Sequence, residues 1–334
     1  MAKNQVQNFV LLLLMAYLLA VSLRGTRDYR VLGGLILAAA CSKSLLALWV
    51  FNTMHQNPDY SFATTHGDSL LFAGATIMLI ARFAEQPVRR NALLCFGVLP
   101  LLVSAMLANN RRIAWVEIAA AVLTLAVVSR RTRLKRALAR TALLALPLLV
   151  LYVAVGWSSH SRIFAPLQVF RSVEDAEVDS STLFRDIEDH NLLYTLNWNS
   201  FLGTGFGHPF AEVVRNDDIS LFFKEYHFLP HNSVLGLWAF GGAFGFTGLS
   251  VALVVGVFLA ARSYRWARFP DERAAAFTAL AMVLIYLIQC YGDIGFSEKE
   301  SIFLVGPALA VAGRLALSTG AWGARPAHAV AGSS

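Results

Sequence analysis

Residues 230–249 read PHNSVLGLWAFGGAFGFTGL, and the order of polar and apolar residues in them indicates the kind of fold. An imidazole, His231, and an amide, Asn232, stand directly before a glycine-rich apolar run. That run leads into a segment long enough to cross a bilayer. Because polar side chains avoid the hydrocarbon core, this order of residues predicts a membrane helix with a polar edge at the membrane surface.

The composition of the whole chain is that of an integral membrane protein. Hydrophobic residues make up 57% of the sequence, charged residues make up 15%, and the mean hydropathy is +0.56. The net charge of +7 does not indicate nucleic acid binding, because the basic residues cluster in short loops between apolar blocks. All three cysteines lie inside apolar segments, so we expect neither a disulfide framework nor a metal site.

Nine apolar segments are predicted to span the membrane, some of them across a locally thinned bilayer. Arginine and lysine cluster in every second connection between these segments, which predicts that those connections are cytoplasmic. The alternate connections hold most of the acidic residues and histidines and are predicted to be external. The predicted spans are Phe9–Leu23, Val31–Phe51, Ser69–Ala81, Ala92–Leu107, Ile113–Val128, Thr141–Trp157, Phe244–Ala261, Ala274–Tyr291 and Ser301–Leu315.

One external connection, residues 158–230, is far longer than an ordinary loop and is predicted to have structure of its own. Ser180 or Ser181 is suited to cap a helix that runs through Asn199, and apolar residues recur there at helical spacing. The pattern predicts an amphipathic helix that lies on the membrane or over a cavity. The tail beyond residue 317 is rich in Ala, Gly, Pro and Ser, which predicts disorder.

Charged residues in or beside the spans are the first candidates for function. Arg111 and Arg112 stand in a short external connection, where they break the positive-inside pattern. They are suited either to bind phosphate or to cap the helix and contact lipid head groups. Lys43 and Glu117 lie within spans, so each is expected to pair with the other or with another polar group. A contact from Lys43 to an anionic substrate is the alternative.

His231 is suited to act as a general base, or to be an ordinary helix-capping residue. The other external histidines show no metal-ligand spacing, so no zinc site is predicted. Gly203, Gly205 and Gly207 resemble half of a phosphate loop, but no strand precedes them and no GK[ST] follows. A tight turn explains these three glycines as well.

Three stretches in this order resemble the core of the O-antigen ligase and O-antigen polymerase family of bacterial membrane glycosyltransferases. The first is RIAW at residues 112–115, where an arginine precedes a span. The second is Arg185 in the long external loop, followed by the FLGTGFG turn at residues 201–207. The third is HNSVL at residues 231–235, which opens the next span.

The resemblance implies an all-α membrane fold of the GT-C type in the bacterial inner membrane, with its active face in the periplasm. It divides the chain into N-terminal spans (1–107), a ligase or polymerase core (108–261), C-terminal spans (262–317) and the tail (318–334). The implied reaction transfers a glycan from an undecaprenyl pyrophosphate carrier to a hydroxyl group of the lipid A core or of another glycan. It inverts the anomeric centre and uses neither a metal nor another cofactor.

The resemblance also implies roles for individual residues. Arg112 and Arg185 would hold the pyrophosphate, and His231 would contact the acceptor hydroxyl or a phosphate oxygen. The supporting residues are Arg111, Asn232 and Asn197, with Lys43 as a further substrate contact.

Two other functions are compatible with the sequence. A transporter of an anionic solute or lipid-linked sugar would line its path with the same charged residues, but it would usually show two similar halves, and none is seen. A scaffold with an external docking loop would tolerate the loss of His231. The sequence does not distinguish a ligase from a polymerase, and it does not identify the sugar.

Overall fold

The computed structural model describes residues 2–54, 63–129, 133–159, 164, 167, 180–220, 223–296 and 298–323. Within these residues the regular structure is helical, as the sequence predicts. The helices are α1 (Ala2–Ser22), α2 (Thr26–Met54), α3 (His66–Glu85), α4 (Arg89–Asn109), α5 (Ile113–Val128), α6 (Arg133–Gly156), α7 (Ser180–Asn199), α8 (Ser233–Trp266), α9 (Pro270–Gly292) and α10 (Glu300–Ser318). The residues of the tail predicted to be disordered lie outside the described residues from position 324 onward.

Six of the described helices are long and apolar enough to cross a membrane, namely α2, α3, α4, α8, α9 and α10. The apolar parts of α1, α5 and α6 are shorter, at Val6–Ser22, Ile113–Val128 and Leu143–Gly156. All nine predicted spans therefore lie on helices of a multi-pass membrane protein. The prediction that all nine cross the bilayer remains a prediction.

Helices α3 and α9 form the centre of the bundle. Helix α9 packs against α3, α5, α8 and α10, while α1 packs against α10. Phe72 on α3 and Phe277 on α9 are fully buried in this core. Because these two helices are central, the residues where they begin and end lie near the middle of each end of the bundle.

Helix α8 begins eleven residues before the predicted span that starts at Phe244, and that predicted span begins just after a kink in the helix. Asn232 caps the helix, since its side-chain oxygen accepts a hydrogen bond from the Leu235 N–H at 3.1 Å. The glycine-rich run therefore belongs to the helix. The helix is kinked at Gly242, where φ is +62°.

The kink in α8 is filled by the glycine-rich turn that follows α7. The backbone N–H groups of Thr204 and Gly205 donate to the carbonyls of Ala239 and Phe240, each at 2.9 Å, and a third bond runs back from α8 to the turn. A Cβ atom on Gly242 would lie 2.4 Å from the Phe201 carbonyl oxygen, and one on Gly203 would meet the Phe240 carbonyl at the same distance. Only glycine permits this contact between two backbones. Among the described residues, the turn thus ties the long connection to a membrane helix.

The predicted helix in the long connection is confirmed as α7, which packs against α8. Its buried face includes Phe184, Leu192 and Leu196, as the helical spacing predicts, together with the polar residues Glu188 and Asn191. The Asn191 side chain accepts from the N–H groups of residues 213 and 214 and donates to the carbonyl of residue 214. Helix α7 therefore holds the following loop as well as packing on the bundle.

Candidate active site

His231 lies immediately before α8 and is held by the buried carboxylate of Glu188 on α7. The Glu188 side chain is fully buried, and its oxygens accept a hydrogen bond from the His231 backbone N–H at 2.8 Å. The same carboxylate lies 3.3 Å from Nδ1 of the imidazole. With Nδ1 directed to the carboxylate, Nε2 is the nitrogen left to face another group.

The surroundings of His231 fix the orientation of its ring. The rings of Phe184 and Phe223 approach the imidazole edge-on, with centroid distances of 5.7 and 6.1 Å. Next to it, Asn232 donates from Nδ2 to Asp189 at 3.1 Å while its oxygen caps α8. Burial raises the pKa of Asp189, and the bond from Asn232 partly opposes that shift. Helix α7 and the start of α8 are thus joined through two neighbouring acidic residues.

Arg111, in the connection between α4 and α5, is electrostatically coupled to this region. Burial lowers the pKa of Arg111 to about 10, Asp293 opposes the shift, and Arg185 on α7 adds to it. Arg111 therefore remains a cation at neutral pH, in the same electrostatic environment as a second guanidinium. Arg185 itself is exposed on α7, one turn before Glu188.

A second imidazole and carboxylate meet where α3 begins and α9 ends. His66 Nδ1 contacts the buried carboxylate of Asp293, which directly follows α9. Burial alone would raise the pKa of Asp293, but the hydrogen bond and charge of His66, together with the Ile294 N–H and the charge of Arg185, outweigh burial and lower it. The Ser233 hydroxyl at the start of α8 donates to the Asp293 carbonyl at 3.0 Å. Asp293 therefore connects α3, α8 and Arg111.

Lys43 on α2 lies beside the same end of α3. It pairs with Asp68 at 3.0 Å, and Asp68 is almost fully buried while the lysine is part exposed. The carboxylates of Glu298 and Glu300 lie against the adjacent Gly67, where a Cβ atom would come within 3.0 Å of both. Burial and the neighbouring Glu300 raise the pKa of Glu298 to about 8. Asp68, Glu298 and Glu300 thus form an acidic group at this end of the bundle, and the charge of Glu298 acts on Arg111.

A comparison with protein families covers some of the residues described above. Residues 96–250 match a family model described as O-antigen ligase. This region is an O-antigen ligase domain. No curated protein matches the chain significantly. The match supports a membrane glycosyltransferase of the O-antigen ligase or polymerase type.

The O-antigen ligase domain contains most of the residues predicted to form the site. His231 is hydrogen-bonded to Glu188, and the neighbouring Asn232 is hydrogen-bonded to Asp189. Arg185 acts electrostatically on Arg111. Arg112 follows Arg111 directly and precedes α5, where its carbonyl accepts a hydrogen bond from Trp115. The structure brings these residues to one end of the bundle, and their roles in the reaction remain predictions.

Asn197 and Lys43 lie apart from that group. Asn197 is exposed near the end of α7, twelve residues beyond Arg185 and therefore roughly 18 Å along the helix. Lys43 lies outside the O-antigen ligase domain and pairs with Asp68, as one of its two predicted arrangements requires. The predicted pairing of Glu117 is not seen, because among the described residues its buried carboxylate oxygens have no hydrogen-bond partner.

Sequence reasoning missed Glu188, His66 and Asp293. Glu188 stands four residues after Phe184 and four before Leu192, so the helical phase that predicts the buried face of α7 also predicts its burial. A buried carboxylate requires a partner, and that signal was available. His66 and Asp293 lie outside the O-antigen ligase domain at two helix ends, and no local pattern relates them.

Proposed function

We propose that this protein transfers a glycan from an undecaprenyl pyrophosphate carrier to a hydroxyl group at the external, periplasmic end of the bundle. The observation that carries the proposal is the buried Glu188 that holds His231 by its backbone and by Nδ1. Arg185 lies on the same helix as Glu188, and Arg111 is electrostatically coupled to Arg185. The O-antigen ligase domain supplies the reaction class.

In the proposed reaction His231 is the general base. The acceptor hydroxyl donates its proton to Nε2, its oxygen forms a bond to the anomeric carbon, and the bond from that carbon to the carrier phosphate breaks. Glu188 favours the tautomer with the proton on Nδ1 and stabilises the imidazolium that forms. Because the hydroxyl attacks opposite the leaving phosphate, this single displacement inverts the anomeric centre.

The arginines have the role of stabilising the departing lipid pyrophosphate. Its negative charge increases as the glycosidic bond breaks, so guanidinium groups that bind it more strongly at that stage lower the barrier. Arg111 is charged at neutral pH, and Arg185 is exposed on α7. In this mechanism the arginines supply the stabilisation of charge without a metal.

The proposed reaction is tested with purified protein, a carrier-linked glycan and candidate acceptors. His231→Ala and Arg112→Ala are expected to abolish formation of the extended product, as is Arg185→Ala. The matched control is His190→Ala, because His190 is an exposed histidine on α7 next to the same acidic residues. Transfer by His231→Ala at the parental rate would refute the base, and transfer by both arginine variants would refute their role.

The proposed orientation has a separate test. A reporter protein fused after Asp189 reports on which side of the membrane α7 lies, and α7 carries Glu188. The expected result is activity of a periplasm-dependent reporter and inactivity of a cytoplasm-dependent one. The opposite pattern would contradict the periplasmic assignment while leaving the reaction class unchanged.

A further inference from the structure

A cavity of about 160 Å³ opens between five helices at the other end of the bundle. Its walls are mainly apolar and come from α2, α3, α4, α9 and α10. The volume is comparable with that of an engineered apolar cavity of about 150 Å³ that accommodates a benzene ring. Part of an acyl chain therefore fits. The cavity shares no lining residue with the site around His231.

The length of the cavity matches one leaflet of a membrane. Along α9 its lining runs from Asp271 to Met282, which is roughly 16 Å at the rise of an α-helix. The hydrocarbon core of a bilayer is about 30 Å thick, so this is about half of it. Gly34 on α2 lines the cavity and is exposed at the surface of the bundle, where a membrane helix faces lipid.

The residues that line the mouth of the cavity carry more positive than negative charge. Arg30 at the start of α2 and Arg82 near the end of α3 line it, with Asp271 at the start of α9. Arg30 pairs with Asp271 at 2.6 Å, and Arg82 donates from Nε to the neutral side chain of Asn91 at 3.0 Å. One carboxylate thus faces two guanidinium groups. Guanidinium groups near the membrane surface bind phosphate oxygens well.

We propose that this cavity is a binding site for an anionic phospholipid of the leaflet on the basic side of the protein. One acyl chain lies in the apolar cavity between α2 and α9, and the phosphate accepts hydrogen bonds from Arg82 and Arg30. The apolar depth of one leaflet and the excess positive charge at its mouth both favour this occupant. The proposal is independent of the glycosyl transfer proposed above.

The test is native mass spectrometry of the full-length protein, purified in detergent and titrated with phosphatidylglycerol or phosphatidylcholine. The parent protein is expected to retain one phosphatidylglycerol molecule about tenfold more tightly than phosphatidylcholine, the effect of one additional charge-assisted contact. Gly34→Leu is expected to abolish that binding. A Cβ atom at Gly34 meets no other atom within 4 Å, so the larger side chain enters the cavity without a backbone clash.

Two further variants complete the experiment. Gly97→Leu is the matched control, because Gly97 is an exposed glycine on α4 that also has open space and does not line the cavity. It is expected to bind lipid like the parent. Arg82→Gln is expected to retain lipid but to lose the preference for phosphatidylglycerol, whereas Arg89→Gln, which removes an exposed charge on the same side, is expected to keep it.

Three results would overturn the proposal. Parental binding by Gly34→Leu would mean that the lipid lies elsewhere. Equal affinity of the parent for both lipids would mean that the mouth does not recognise an anionic head group. A dimer that Gly34→Leu dissociates would mean that a second copy of the chain fills the cavity. The mass spectrum distinguishes these results, since it resolves both bound lipid and oligomeric state.

Discussion

The substitution Glu188→Gln replaces the buried carboxylate behind His231 with a neutral amide of the same size. In the parent, the carboxylate accepts from the His231 backbone N–H at 2.8 Å and lies 3.3 Å from Nδ1. Hydrogen bonds to a charged group contribute about 1.5–3 kcal/mol and neutral ones about 0.5–1.5 kcal/mol. The amide oxygen keeps the backbone bond in weaker form, so the expected loss of stability is about 1–3 kcal/mol. The protein is expected to fold.

The effect on catalysis is expected to be much larger than the effect on stability. The amide nitrogen introduced by Glu188→Gln donates to Nδ1, which places the imidazole proton on Nε2. A protonated Nε2 no longer accepts a proton from the acceptor hydroxyl. In serine proteases, replacing the aspartate behind the catalytic histidine with asparagine lowers the rate about 10⁴-fold through the same tautomer. For Glu188→Gln we expect a fall of about 10²–10⁴-fold in the transfer rate.

The assay is the initial rate of glycan transfer by purified protein at saturating carrier-linked glycan and acceptor. Asp186→Asn is the matched control, since Asp186 is an exposed acid on the same helix and the change in chemistry is the same. Its rate is expected to stay within about twofold of the parent, as for most exposed surface substitutions. A Glu188→Gln protein that folds and transfers glycan as fast as this control would refute the argument.

Three further predictions concern stability, measured by thermal unfolding in detergent. Gly242→Ala is expected to lower the melting temperature, because the backbone angles of Gly242 (φ +62°, ψ −169°) are essentially restricted to glycine and cost an alanine about 1–3 kcal/mol, and because the Cβ atom meets the turn; Gly245→Ala, with open space, is the control. If the two variants melt at the same temperature, the contact between the turn at residues 201–207 and the kink at Gly242 does not stabilise the fold. The raised pKa of Glu298, about 8, means that its proton stabilises the folded state at acid pH and that this contribution is lost as pH rises from 4.5 toward 8. Glu298→Gln is expected to flatten this dependence, and an unchanged pH profile would contradict the shift. Lys43→Met leaves the buried Asp68 charge without its partner and is expected to destabilise the protein, while adding Asp68→Asn restores stability; additive losses in the double variant would contradict the pairing.

Hydropathy located the membrane helices because a bilayer requires a long apolar segment for each crossing. The predicted span that starts at Phe244 covers the part of α8 beyond the kink at Gly242. A run containing Gly241, Gly242 and Gly245 is typical of a helix break, and the hydropathy pattern does not show what supports the backbone there. The support comes from the glycine-rich turn at residues 201–207, whose contacts replace those that the kink removes. A local sequence pattern does not show hydrogen bonds that come from a distant part of the chain.

The site was predictable where a motif or a helical phase marks a residue, and not where two distant helix ends meet. His231 stands out by its position before an apolar run, and α7 by its helical spacing. The partner of His231 lies 43 residues earlier, among the three acids Asp186, Glu188 and Asp189. Composition alone treats these acids as equivalent, whereas the helical phase separates the buried Glu188 from the exposed Asp186.

The pair of His66 and Asp293 gives the flanking helices a physical role in the site. Asp293 lies close enough to Arg111 to raise its pKa, and an anion in that position also competes with a phosphate for the guanidinium. The imidazole of His66 bonds directly to the same carboxylate. That contact holds the Asp293 carboxylate in place beside the start of α3. Helices α3 and α9, which lie outside the O-antigen ligase domain, therefore contribute charged groups at the end of the bundle where the proposed transfer takes place.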